Sequence, residues 1–160
     1  MASPVIIPLA GPAPATATDG IVSNDGWLPD VDLASLRAGY RIRDVVTAER
    51  LETAVVGAML AVRADLREWI AARRAEGATS LGNVPADSIA GQSVLVLAYR
   101  RAIGAYTRAE LIEGYRDTDL TGRGERKVDE LDPSVDELRR DALHAIRDIL
   151  GVGRTSVELI

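Results

Sequence analysis

The sequence predicts an all-α fold: a helical bundle of two long helices, a C-terminal helix and a short N-terminal helix, with extended arms at both ends. Three observations carry this prediction. Apolar residues recur at three- and four-residue spacing over three long stretches bounded by capping residues. Phenylalanine is absent and aromatics make up only 4% of the chain, so the core must be built from Leu, Ile, Val and many Ala, whose small side chains let helices approach closely. The two ends show either a proline-rich or a period-two pattern with no adjacent strand to pair with.

Residues 1 to about 29 hold most of the prolines and show no helical period, which predicts an extended arm. Within it, Val5-Ile6-Ile7 is a β-branched run between Pro4 and Pro8. Asp30 and Asp32 are candidate caps for a short helix pinned by Leu33, Leu36 and Tyr40 and closed by Gly39. Thr47 then opens the longest helix, which ends at Glu76 with Gly77 just beyond and spans roughly 45 Å. Leu51, Val55, Met59, Val62, Leu66, Trp69 and Ile70 fall on one stripe of it. Asp65 breaks a strict seven-residue seam, so the stripe suits a bundle better than a coiled coil.

From Gly77 to Gly91 the sequence predicts a packed loop anchored by Leu81, Val84 and Ile89. Gln92 to about Tyr115 is the next helix. Its opening run, Val94 to Tyr99, is apolar on every side and competes with a buried strand. The continuation through Ile103, Tyr106, Leu111, Ile112 and Tyr115 favours a central helix. Asp117 to Leu131 breaks the pattern with Gly122, Gly124 and mixed charge, and predicts an exposed, mobile loop. Asp132-Pro133 is the expected start of the last helix, as N-cap and first helical residue. Val135, Leu138, Ala142, Ala145, Ile146 and Ile149 form its buried stripe, and Gly151 closes it. The expected organisation is thus an arm at 1–29, a helical core at 30–151 and a second arm at 152–160.

The segment from Arg154 to Ile160 alternates apolar and polar residues like a strand. Ordering seven residues costs on the order of 7 to 14 kcal/mol. Burying Val157, Leu159 and Ile160 recovers only roughly 1.5 to 3 kcal/mol each. Val5, Ile6 and Ile7 face the same deficit. Arms of this kind are expected to become fixed by docking on other subunits, which makes the chain an assembly component.

Composition bounds the function further. At 160 residues one domain can bury about 70% of its unfolded surface, so neither metal nor disulfide is needed to hold it. Cysteine is absent, which excludes a thiol nucleophile, a disulfide scaffold and cysteine-ligated metal. The net charge of −5 provides no global field to attract nucleic acid or an anionic membrane. No stretch approaches the roughly 18 apolar residues of a membrane span. A cytoplasmic protein is expected.

Candidate chemistry is sparse. His144 is the single histidine and suits a surface or interface role, because a metal site there would need carboxylates alone around it. Asp30-Val-Asp32 and Asp117-Thr-Asp119 lack the ligand spacing calcium requires. Gly122-Arg-Gly124 and Gly151-Val-Gly153 lack the strand-to-helix context of a phosphate cradle. Arg73-Arg74 and Arg100-Arg101 have acidic neighbours within a turn or two, so solvated or salt-bridged faces are expected there. No nucleophile, base and orienting group stand out together, so no enzyme activity and no cofactor are expected. An enzyme built on a carboxylate pair predicts a deep acidic pocket between helices. A small helical interaction or regulatory module, non-enzymatic, is the alternative to an assembly component.

Asn83-Val84-Pro85-Ala86-Asp87, Gly91-Gln92-Ser93, Tyr99-Arg100-Arg101-Ala102, Tyr115-Arg116, Gly124 with Arg126-Lys127 and Asp129, Asp136 to Asp141 and Arg154 to Ile160 resemble, in order and spacing, the head completion (head stabilisation) proteins of P2-like tailed bacteriophages, the GPL family. Val5-Ile6-Ile7-Pro8 is similar too, whereas residues 9 to about 46 match loosely. Arg139 departs from the pattern, standing where an aromatic is expected. The resemblance implies a helical-bundle structural protein of the virion neck, assembled in the host bacterial cytoplasm. It also implies a head-tail connector: an adaptor ring of about twelve copies, closed by contacts between unlike faces, linking the DNA-filled head to the tail. The partners implied are the portal protein, the tail or neck completion proteins and neighbouring copies. About twelve copies at −5 each give a ring near −60, through which DNA would pass without specific binding. Asp119, Arg123, Glu125, Arg126, Lys127 and Asp129 are expected to face the channel or the adjoining ring. Val5, Ile6, Ile7, Arg154, Val157, Leu159 and Ile160 are the expected partner contacts of the arms.

Overall fold

The computed structural model describes residues 20–118 and 133–153, without the side chains of 115–118. In chain order the elements are β1 (Ile21–Val22), β2 (Val31–Asp32), α1 (Leu33–Gly39), α2 (Ala48–Ala75), a 3-10 turn (Leu81–Asn83), β3 (Ser88–Ile89), β4 (Gln92–Ser93), α3 (Val94–Thr118) and α4 (Val135–Leu150). The described residues are therefore mainly helical, as expected. Two small antiparallel ribbons, β1–β2 and β3–β4, add to the all-α prediction.

Local chemistry sets the helix ends. The Asp32 carboxylate accepts the Ser35 N–H at 2.6 Å and caps α1, and the Thr47 hydroxyl accepts the Arg50 N–H at 3.3 Å and caps α2. Each satisfies a donor that the first helical turn leaves orphaned. Past Glu76, Gly77 adopts φ +92°, and Gly151 closes α4 at φ +69°. Both are left-handed positions that glycine occupies at little cost.

The α4 start corrects an expectation. Its N-cap is Ser134, not Asp132, and Pro133 precedes the helix. Ser134 Oγ accepts from the Glu137 N–H at 3.2 Å while Glu137 Oε2 accepts from the Ser134 N–H at 2.8 Å. This reciprocal box satisfies two donors at once, where a cap at Asp132 lacks a Glu or Gln three residues later.

α3 is central and packs against both α2 and α4. The predicted stripes form the interior: Leu51, Val55, Val62, Leu66 and Ile70 of α2 are buried, as are Val135, Leu138, Ala142, Ala145, Ile146 and Ile149 of α4. Met59 and Trp69 are partly buried against the same core. Ala102 and Ala105 of α3 and Ala142 and Ala145 of α4 are at most 2% exposed, the close helix approach that an alanine-rich composition permits. Gly104 of α3 makes room for Tyr40, since a Cβ there would lie 1.9 Å from the ring. The Tyr40 hydroxyl donates to the Arg101 carbonyl at 3.1 Å.

Two further expectations change. Leu81 and Val84 anchor the α2–α3 connection, but Ile89 is 62% exposed. It lies in the β3–β4 ribbon, whose register pairs Ser88 with Ser93 and Ile89 with Gln92. The two turn residues, Ala90 and Gly91, both have positive φ, the conformation that matches a two-residue hairpin to strand twist. Gln92 and Ser93 are consequently strand residues, and α3 begins at Val94. The described part of the expected N-terminal arm, residues 20–29, also behaves differently: Trp27 and Leu28 are 6% and 3% exposed and join the core.

Candidate functional site

Residues 20–32 form a clasp across α2 and α3. Irregular backbone has no internal ladder to satisfy its polar groups, so side chains must do it. Asp25 Oδ1 accepts the N–H groups of Trp27 at 3.0 Å and Leu28 at 3.1 Å. Its Oδ2 pairs with Arg63 and Arg74 of α2, each at 2.6 Å. Burial pushes the Asp25 carboxyl up, but the Leu28 N–H, the Arg63 guanidinium, the Trp27 N–H and the Arg74 guanidinium outweigh it. The net result lies well below the usual carboxylate range.

Asn24 extends the network. Its Nδ2 donates to the Tyr99 hydroxyl of α3 at 2.9 Å, and its Oδ1 accepts from Arg63 at 3.3 Å. Tyr99 is fully buried, and burial raises its phenol to about 12. Trp27 Nε1 donates to the Ala78 carbonyl at 2.9 Å. Its ring meets Trp69 edge-on at 6.3 Å, and Arg74 stacks 5.4 Å over it, an aromatic and cation–π arrangement whose arginine stays partly exposed. The clasp ends in β1–β2, with the Leu33 N–H donating to the Gly20 carbonyl at 3.0 Å. The sequence pattern predicts an arm over this stretch. The turn signal Asn24-Asp25-Gly26 followed by a tryptophan was the available clue.

All of the arm residues Val5, Ile6, Ile7, Arg154, Val157, Leu159 and Ile160 lie outside the described residues. So do the loop residues Asp119, Arg123, Glu125, Arg126, Lys127 and Asp129. The points from which these segments leave are described. Gly20 is tied to Leu33, and beyond Gly151 the Val152 N–H donates to the Arg147 carbonyl while Arg147 Nη2 donates to the Gly153 carbonyl, both at 3.0 Å.

The arginine doublets are engaged, though only Arg73 by an acidic neighbour within a turn along the chain. Arg73 pairs with Glu76 at 2.8 Å and Arg74 with Asp25. Arg101 pairs with Asp141 at 3.3 Å, and Arg100 donates to Gln92 at 3.0 Å. Arg139, where an aromatic was expected, bonds Glu113 of α3 at 2.6 Å, so an ion pair joins α4 to α3 at that position. His144 is half-buried on α4.

Two open clefts indent the surface. One is lined by Arg37, Arg41, Arg43 and Asp44 over Ala34, Ala38 and Ile42. The other lies between α2 and α3 and is lined by Glu49, Arg50, Thr53, Ala54, Glu110, Leu111 and Gly114. Burial and the neighbouring Glu113 raise the Glu110 carboxyl. Among the described residues no three metal-ligating side chains converge, and no helix is long and apolar enough to cross a membrane. The arrangement offers surfaces and anchored segment roots.

The sequence profile of phage head completion protein (GPL) matches residues 22–160. The head completion/stabilization protein of Escherichia phage P2 is 36% identical over 149 residues, covering 93% of this chain and 88% of that protein. No solved structure matches. A profile match that runs from the clasp through all four helices to the last residue, together with this level of identity, places the chain in the phage head completion protein (GPL) family of structural phage proteins.

Proposed function

We propose that the chain is a head-tail connector: an adaptor that completes the DNA-filled head, forms a ring of about twelve copies under the portal protein and presents a surface to tail or neck proteins. The reading is carried by the family match, which spans the helical core together with the segment beyond it. The phage P2 relative is a head completion/stabilization protein, and a stabilising role at the head exit suits a small rigid core whose Val5–Ile7 and Arg154–Ile160 segments dock on neighbours. An extended segment adds to a partner's sheet edge through main-chain hydrogen bonds. The loop around Arg123 to Asp129 faces the channel or the adjoining ring. The net charge of −5 per copy disfavours adhesion of DNA in the lumen, because cationic linings bind phosphate by counterion release. The protein is then a component of the virion neck, assembled in the host bacterial cytoplasm, with no catalytic role.

The test is to mix the purified chain with its portal protein, image the complex, and repeat after deleting residues 154–160. Ring density under the portal that vanishes on deletion is the expected result. Failure of the full chain to occupy the portal removes the adaptor reading, and unchanged occupancy after deletion removes the C-terminal segment from it.

A further inference from the structure

The two clefts carry opposite net charge, each with one residue of the minority sign, Asp44 in the first and Arg50 in the second. The first has three arginines and one carboxylate on its rim, and α1, which forms one wall, contains no acidic residue. The Arg37 guanidinium donates to the carbonyls of Arg43 and Val46 at 3.0 and 3.1 Å, which fixes one side of the rim. Arg41 projects from an exposed position and makes no ion pair among the described residues. The second cleft carries two carboxylates, Glu49 and Glu110, against one arginine, Arg50, and neither carboxylate makes an ion pair among the described residues. The Glu110 carboxylate lies over Gly57, 2.7 Å from where a Cβ would stand, so the missing side chain leaves room for that carboxylate on the α2 surface. The clefts are of similar size, about 450 and 390 Å³.

We propose that the Arg41–Arg43 cleft of one copy docks against the Glu49–Glu110 cleft of a second copy, head to tail. This rests on the adaptor reading and names the contact that closes its ring. A heterologous contact requires two unlike patches on each subunit, and opposite charge makes the unlike pair attract while either patch repels itself. Duplex DNA is the other polyanion the arginines would attract, but it leaves the carboxylate cleft without a role, and the net charge of −5 opposes its approach.

The test uses charge reversal in the full chain, followed by sedimentation at low salt. Arg41→Glu/Arg43→Glu carries two acidic clefts, and Glu49→Arg/Glu110→Arg carries two basic ones. Wild type is expected to self-associate, and to do so less as salt is added. Each variant alone is expected to associate at least about 10-fold more weakly, and an equimolar mixture to recover to within about 3-fold of wild type, since every contact in the mixture again joins opposite signs. A variant that has lost its fold cannot recover on mixing. Variants that associate like wild type, a mixture that stays monomeric, or a wild type that remains monomeric to about 1 mM would overturn the contact. Retention of a duplex oligonucleotide by wild type and not by the arginine variant, without self-association, would overturn it in favour of DNA. Portal binding by the same wild-type preparation reads the adaptor function separately: a chain that seats on the portal without charge-dependent self-association keeps that function and loses this contact.

Discussion

The clasp at residues 20–32 and the α3–α4 pair place their polar contacts differently. Between α3 and α4 the small residues Ala102, Ala105, Ala142 and Ala145 are buried, the ion pairs Arg101–Asp141 and Arg139–Glu113 lie at the exposed margin, and each helix satisfies its own backbone. In the clasp the backbone is irregular, and Asp25, Asn24 and Trp27 hold it through hydrogen bonds and ion pairs to groups on α2, α3 and the chain after α2. The contrast teaches where polar groups are structural: the clasp needs them at its centre because its chain cannot bond to itself, whereas the helix pair keeps them at its exposed margin.

The largest test removes the aromatic centre of the clasp. Trp27→Ala takes away a buried ring, its contact with Trp69 and the bond to Ala78, and should cost about 3–5 kcal/mol in chemical denaturation. If the two regions are held independently, amide exchange will speed first in residues 20–32 and only later in α3 and α4. Uniform loss of protection would collapse the distinction.

Gly104→Ala probes close approach on α3. Its Cβ would collide with the Tyr40 ring, so a loss of about 1–3 kcal/mol is expected. Combining it with Tyr40→Ala should recover part of that loss, with the pair departing from additivity by at least about 0.5 kcal/mol. Strict additivity would show that the ring is not what limits the site.

Asp25→Asn tests the polar latch. Because the folded Asp25 carboxyl titrates below its unfolded value, its stabilisation is present above the unfolded pKa of about 3.9 and fades as pH falls from there toward the folded value. The variant should be less stable than wild type by about 1–2 kcal/mol at pH 7, a modest figure because Asp25 retains 27% exposure. The gap should narrow below about pH 4. A gap that stays constant down to pH 2 would mean that the charge is not what matters.

The smallest effect belongs to Thr107, a fully buried α3 residue whose hydroxyl has no partner among the described residues. Thr107→Val should be neutral or stabilising by up to about 1 kcal/mol, measured as a shift in Tm. Clear destabilisation would reveal a bond the hydroxyl makes, and would bring the helix pair closer to the clasp in kind.

These tests separate features by how visible they are in the chain. The α2 limits were legible because Thr47 and Gly77 act locally, on donors and dihedrals within one turn. The buried stripes were legible because helical period alone selects the face. The clasp was not, since Asn24, Asp25 and Trp27 meet Tyr99, Arg63, Arg74 and Ala78, all tens of residues away. The β3–β4 ribbon escaped because two-residue strands leave no periodic trace, and Ile89 read as an anchor when it is a turn-flanking surface residue.

The sequence by itself determined the helices, their buried faces and the absence of cysteine chemistry, because these follow from local periodicity, caps and composition, and its ordered motifs carried the family likeness. Only the tertiary structure decided that residues 20–29 belong to the body, that Arg139 joins α4 to Glu113, and that one cleft is arginine-rich while another carries two glutamates. Those outcomes depend on which distant groups meet when irregular segments must find partners for their polar atoms, and no spacing along the chain encodes that.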